Sequence, residues 1–214
     1  MVFKIDEKNE LIVACIVKMA NRVSDMYLLS IDAMKDNDSK KALKVITMDE
    51  FVNSGEEEAN TIAIESLALL SPVASDLRSV VAAIKIASEL ERIGDYAKGI
   101  ASFIIKNGEV DHEICQLSSN LCDAILTMLD HSIDAYVKRD AEMAMFIPEE
   151  DKTIDDIFAE VIGLLQNRLN SQDDVSYLIP MVGMMRNLER AGDHITNICE
   201  HIIFDVKGQR IEFS

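Results

Sequence analysis

The sequence predicts an all-α protein: two pseudo-repeated antiparallel three-helix bundles, with six long helices in all. Three observations carry this. The 214 residues include only three Pro and eight Gly, against eleven Met and 49% hydrophobic residues, a composition that suits long, adaptably packed helices. Apolar residues recur at three- and four-residue steps, whereas extended alternating Val/Thr/aromatic runs are missing. The whole pattern then occurs twice, with a period near 100, too long for a solenoid repeat.

The first periodic segment runs from about Asp6 to Lys35, with Leu11, Cys15, Met19, Val23, Met26, Ser30 and Ala33 as its stripe. Asp36-Asn37-Asp38-Ser39 supplies turn and N-cap chemistry. A second helix reaches about Leu70 and stops before Ser71-Pro72. Ser75 or Asp76 can cap a third, which Asn107-Gly108 closes.

Ser30-Ile31-Asp32-Ala33 returns as Ser132-Ile133-Asp134-Ala135, a shift of 102 that also carries Asp38 onto Asp140, Asp49 onto Asp151 and Asn53 onto Asp155. Beyond the second helix the shift is 98, taking Asp76 to Asp174, Glu91 to Glu189 and Asp95 to Asp193. The second copy has therefore lost four residues between its second and third helices. The units expected are residues 1–108 and 109–214, each a bundle of antiparallel neighbours. Pro148 and Pro180 should each kink a helix of the second copy or mark a late start.

The chemistry concentrates in one stretch that occurs in both copies. Leu90-Glu91-Arg92-Ile93-Gly94-Asp95 and Leu188-Glu189-Arg190-Ala191-Gly192-Asp193 each set a Glu and an Asp four residues apart, on one helical face. Like charges so placed repel by roughly 0.2–0.5 kcal/mol on an isolated helix. Asp151 and Asp155 form a second pair at the same spacing, and Asp49 and Asn53 take the matching positions in the first copy. If the two helices of a unit face each other, four oxygen ligands converge. Burying such a cluster is costly unless a cation sits inside it. Hard oxygen donors favour iron, manganese, magnesium or calcium, with zinc possible. The plain alternative is a set of solvated acids on a very acidic surface.

The second stripe continues through Asn197 and Glu200, within about 80° of the first two acids on a helical wheel, where the first copy has Gly99 and Ser102. We therefore expect the second site to be the fuller one. Gly94 and Gly192, each costing about 1 kcal/mol inside a helix, point to close approach by a neighbour. Arg92 and Arg190 could donate to these acids. His131 and His194 read as helix-surface residues, and His201 lies at the edge of the acidic stripe.

A net charge of −17 argues against a nucleic-acid partner and favours a basic partner or a cation. Cys15, Cys115, Cys122 and Cys199 form no CxxC pair, and with no signal peptide at Met1–Glu10 we expect reduced thiols in the cytoplasm. No apolar run reaches the ~20 residues of a membrane span. The one Glu-x-x-His, Glu109 to His112, falls between the units, so ferritin-like di-iron chemistry is unsupported. No phosphate-cradling Gly-rich loop or Gly-x-Ser-x-Gly is present.

Taken together, Ser71-Pro72-Val73-Ala74-Ser75-Asp76-Leu77-Arg78 with Leu90–Asp95, and Asn187 through Glu200, closely resemble the two halves of the PhoU family of phosphate-uptake regulators. The resemblance covers essentially the whole chain. It implies two pseudo-symmetric three-helix bundles, each with an acidic metal cluster, often iron or zinc. By position the ligands would be Asp49, Asn53, Glu91 and Asp95, then Asp151, Asp155, Glu189 and Asp193.

It further implies a cytoplasmic, non-enzymatic regulator acting with the phosphate-specific ABC transporter and its sensor histidine kinase. Repression of the phosphate-starvation response, no membrane insertion and a homodimer are expected with it. Asn53 departs from the acidic pattern and weakens the first site, and Asp174-Val175-Ser176 leaves Arg78 without a counterpart. A metal-dependent phosphohydrolase and a purely structural bundle are the competing readings.

Overall fold

Helices take up nearly all of residues 2–170 and 175–213, the part of the chain that the computed structural model describes. In order these are α1 (Val2–Asp36), α2 (Ser39–Leu70), α3 (Ser75–Asn107), α4 (His112–Lys138), α5 (Ala141–Phe146), a 3-10 turn (Ile147–Glu150), α6 (Asp151–Asn170) and α7 (Val175–Lys207). Six are long, and among the described residues no strand occurs.

The repeat is visible in the caps. Asn37 and Arg139 both adopt left-handed backbone, with φ of 47° and 53°, and each ends the first helix of its unit. The next residue then opens the second helix. Asp38 Oδ1 accepts from the Lys40 and Lys41 amides, and Asp140 Oδ1 from those of Glu142 and Met143. Each cap satisfies donors that a helix start leaves orphaned. The buried pair Ser30 and Ser132 also corresponds, each hydroxyl donating to a carbonyl in the preceding turn.

Three details differ from the sequence expectation. In α1 the stripe from Cys15 to Ala33 is buried, but Leu11 is 54% exposed and Ile12 and Ile16 take the core instead. Steps of four advance about 40° beyond a full turn, so a strict four-residue stripe drifts off the core. At the start of α3, neither Ser75 nor Asp76 caps. Ala74 holds the cap position at φ 41° with no side-chain bond, and Asp76 stands in the first turn. The third concerns Pro180, which lies inside α7 and marks no helix start, whereas Pro148 interrupts its helix as expected, in the 3-10 turn that splits α5 from α6.

The four-residue loss is shared by two helix ends. Asn53 stands 17 residues before the end of α2, but Asp155 only 15 before the end of α6. Glu91 stands 16 residues after the start of α3, but Glu189 only 14 after the start of α7. The counterpart of Arg78 falls at Asp174-Val175-Ser176, outside the described residues and side chains. Arg78 itself lies against Gly208, with Nε donating to the Asp205 carbonyl at 3.5 Å.

Helices α1, α2 and α3 pack together, α4, α5, α6 and α7 form a second group, and α3 against α7 and α1 against α4 join them. The apolar core runs continuously through both groups. Its burial, worth about 25 cal/mol per Å² of apolar surface, fixes which helix faces remain for polar chemistry. Those faces include the α2–α3 and α6–α7 seams, where the acid motifs sit.

Candidate metal centre

In the second unit Asp151, the first residue of α6, points at the backbone of Gly192 on α7. A Cβ on Gly192 would lie 1.9 Å from Asp151 Oδ1 and 3.1 Å from Ile154 Cδ1. The glycine leaves room for this carboxylate where it stands, which offsets the helix-propensity cost at Gly192 and lets α6 lie close against α7 here. Gly192 is flanked by Glu189 and Asp193, which places Asp151 between them. Its Oδ1 is buried and has no hydrogen-bond partner, and the neighbouring Thr196 hydroxyl is likewise buried and unpartnered.

Burial first, then repulsion by Asp155, Asp193 and Glu189, pushes the Asp151 carboxyl up to about 6. Glu189 is raised too, by burial and by Asp193. Four acids therefore feel one another, and Arg186 and Arg190 oppose the repulsion only at Glu189. Among the described residues, no set of three or more His, Cys, Asp or Glu side chains is gathered into a ready metal-holding arrangement. Asp155 and Asp193 are exposed and able to turn. The orphaned Asp151 oxygen, the space over Gly192 and an all-oxygen donor set fit a hard cation.

The first unit is built differently. Asp49 on α2 is 3% exposed, and its Oδ2 accepts from Lys98 Nζ at 2.5 Å and from Asn53 Nδ2 at 3.4 Å. Lys98 Nζ also lies 3.6 Å from Asp95 Oδ1. Glu91 is raised by burial, Asp95, Glu56 and Asp49, with Arg92 opposing. An ammonium thus already stands among these acids, and the expected ligand set Asp49, Asn53, Glu91 and Asp95 does not fit a metal as it stands. Gly94 is also less crowded than Gly192, since a Cβ there meets Val52 and Val23 at 3.4 and 3.5 Å.

The stripe expected beyond Asp193 does not join the second cluster. Asn197 Nδ2 donates to Glu89 on α3 at 3.3 Å, and Glu200 Oε1 accepts from the Phe213 amide at 2.9 Å. The reason is tertiary: α3 and the C-terminal tail both pack against this part of α7. Arg190 stacks over the Tyr96 ring at 5.6 Å instead of bonding the acids, while Arg92 stays within 3.9 Å of Glu91 and Asp95.

His194, read as a surface residue, is tucked between the units. Its Nδ1 lies 2.6 Å from Glu89 Oε2 and its Nε2 2.9 Å from the Tyr96 hydroxyl. His201 approaches the other Glu89 oxygen at 3.7 Å, and His131 pairs with Glu150 at 2.8 Å. Burial works to raise Glu89, but the bonds from His194, His201 and Asn197 outweigh it and hold the carboxyl at about 2. Periodicity within one unit gave no signal for Lys98 or Glu89.

Elsewhere, a cleft of about 1090 Å³ lies between Lys35, Asp36, Glu109 and Asp111, away from both acid clusters. All four cysteines are buried thiols, with Cys122 and Cys199 pushed up to about 12 by burial, so little reactive thiolate forms near neutral pH. No described helix is long and apolar enough to cross a membrane.

These features define a class: a helical protein of two related units, each with an acid cluster between its second and third helices. The family model described as the PhoU domain matches residues 16–104 and again 119–202. The chain belongs to the PhoU family. A phosphate-specific transport system accessory protein PhoU homolog of Clostridium acetobutylicum is 28% identical over 202 residues, covering 93% of this chain and 92% of that one. The corresponding accessory protein PhoU of Serratia marcescens is 32% identical over 198 residues, covering 92% and 82%. The crystal structure of PhoU from Pseudomonas aeruginosa superposes with a TM-score of 0.84 at 26% identity, covering 95% of this chain and 99% of that one.

Proposed function

We propose that this chain is a metal-binding, non-enzymatic regulator of inorganic phosphate uptake. It acts in the cytoplasm as a homodimer, contacts the phosphate-specific ABC transporter and its sensor histidine kinase, and represses the phosphate-starvation response when phosphate is plentiful. Family membership supports the regulatory part, because the relatives carry the name of accessory proteins of the phosphate-specific transport system.

The observation that carries the metal part is the buried, unpartnered Asp151 Oδ1 over Gly192, with three further acids around it. Asp151, Asp155, Glu189 and Asp193 would hold the cation, iron first, with zinc, manganese or magnesium as the other candidates. A bound cation would remove the mutual repulsion of four carboxylates and tie α6 to α7.

The rest of the acidic surface complements a basic partner face. Association should then be fast and salt-sensitive. Pull-down with the transporter's ATPase subunit and with the kinase, at low and high salt and with or without metal, tests this. Binding that weakens with salt is expected. No binding under any of these conditions would remove the partner assignment.

A further inference from the structure

The two acid clusters occupy equivalent places in the repeat, but they answer the same electrostatic problem differently. The first has a cation built into the chain. Lys98 on α3 donates to Asp49 Oδ2 at 2.5 Å and stands 3.6 Å from Asp95, with Glu91 on the same helix and Asn53 neutral beside Asp49. At the shift of 98, the position of Lys98 is held in the second unit by Thr196, whose buried hydroxyl has no partner. Arg186 and Arg190 act on Glu189 there, but no lysine stands at the matching place beside Asp151, which is left with an orphaned oxygen. At these two positions, 53 and 98, the first cluster is two charges more positive than the second, which has Asp155 and Thr196 there, while Glu56 acts on Glu91 in the first and Arg186 on Glu189 in the second.

We infer that Lys98 is the resident cation of the first cluster, and that the chain takes a metal ion at the second cluster alone. This rests on the metal reading given above for Asp151 and its neighbours. An ammonium bonded to a buried carboxylate neutralises it without any ligand, and a divalent ion entering the same space would have to displace a tethered charge of its own sign. Mutual repulsion and the loss of the Asp49 bond both oppose that exchange. The protein is then asymmetric: its own lysine neutralises the first cluster, and a metal ion neutralises the second.

The test is metal content per chain after anaerobic loading with Fe(II) and, separately, with Zn(II), followed by desalting. Asp49→Asn is expected to leave the wild-type content unchanged, and Asp151→Asn with Asp155→Asn to abolish it. Lys98→Thr combined with Asn53→Asp, which rebuilds the second cluster's pattern in the first, should roughly double it. Loss of part of the wild-type metal in Asp49→Asn would overturn the inference, as would no gain in the rebuilt chain. Wild-type protein that binds no metal at all would instead remove the metal reading itself. Melting of the metal-free protein then decides the role of Lys98. Lys98→Met should lower the midpoint and a further Asp49→Asn should restore it, whereas an unchanged midpoint in Lys98→Met would show that Lys98 is not the cation that Asp49 depends on.

Discussion

Tyr96 and His194 are repeat mates, 98 residues apart, and they touch: the Tyr96 hydroxyl lies 2.9 Å from His194 Nε2, with ring centroids 5.5 Å apart. Equivalent positions on α3 and α7 can meet only where the axis relating the two units passes. The flanking contacts obey the same symmetry. Glu89 meets Asn197, and a Cβ on Gly99 would lie 3.9 Å from Asn187 Nδ2, which are the same two positions with the copies exchanged. A carboxylate only accepts, so His194 Nδ1 carries the proton toward Glu89.

Glu89 should make this joint acid-sensitive. Its carboxyl is held at about 2 in the folded protein, below the ordinary 4.5. A depressed carboxyl contributes stability above its unfolded value and loses it as pH falls through the folded one. The stability gap between wild type and Glu89→Gln, on the order of 2–3 kcal/mol, is therefore expected to be full above about pH 5 and to shrink toward pH 2. Urea melts at pH 6, 4 and 2.5 would check it.

Asp151 behaves in the opposite sense. Its carboxyl is raised to about 6 from 3.8, so ionising it costs folding free energy, with nothing lost below the unfolded value and the full cost present above pH 6. In metal-free protein, Asp151→Asn should be more stable than wild type by about 1–3 kcal/mol at pH 7.5 and nearly equal to it at pH 3.5. Thermal melting across that range reads the difference.

The two motif glycines should respond differently to alanine. Gly192→Ala pushes a methyl into Asp151 and Ile154, and a loss of about 1–3 kcal/mol is expected. Gly94→Ala meets Val52 and Val23 at ordinary contact distance and gains helix propensity, so it should be neutral or up to about 1 kcal/mol more stable. Equal losses in denaturant melts would contradict the packing described.

Asp205, buried at 3% exposure, accepts from Ser79 at 2.6 Å and from Arg139 at 3.1 Å, which ties the start of α3 to the ends of α4 and α7. Arg139→Ala strands most of that charge, and a loss of about 2–4 kcal/mol is expected. Asp205→Asn in the same chain should recover part of it, measured as a double-mutant cycle.

Local rules made the frame legible. Asp38 and Asp140 cap where their types and spacing say, and the Ser30–Ser132 and Asp49–Asp151 correspondences hold because each unit repeats its own helix pattern. Gly192, too, marks close approach, while Gly94 does not. What sequence periodicity could not reach lies between elements. Asn197 and Glu200 fall on the acidic face of α7 by angle, yet Glu89 and the tail amide of Phe213 claim them. Lys98 lies off a four-residue stripe, which steps from Asp95 to Gly99, yet its long stem three residues on reaches across to α2.

The claim at the centre of this account is that one of two equivalent acid clusters holds metal. Anomalous diffraction from crystals of the metal-loaded protein, collected at the absorption edge of the added iron or zinc, tests it most directly. The account predicts density among Asp151, Asp155, Glu189 and Asp193, with Lys98 still bonded to Asp49. No density there, or density that displaces Lys98 from Asp49 and Asp95, would contradict it.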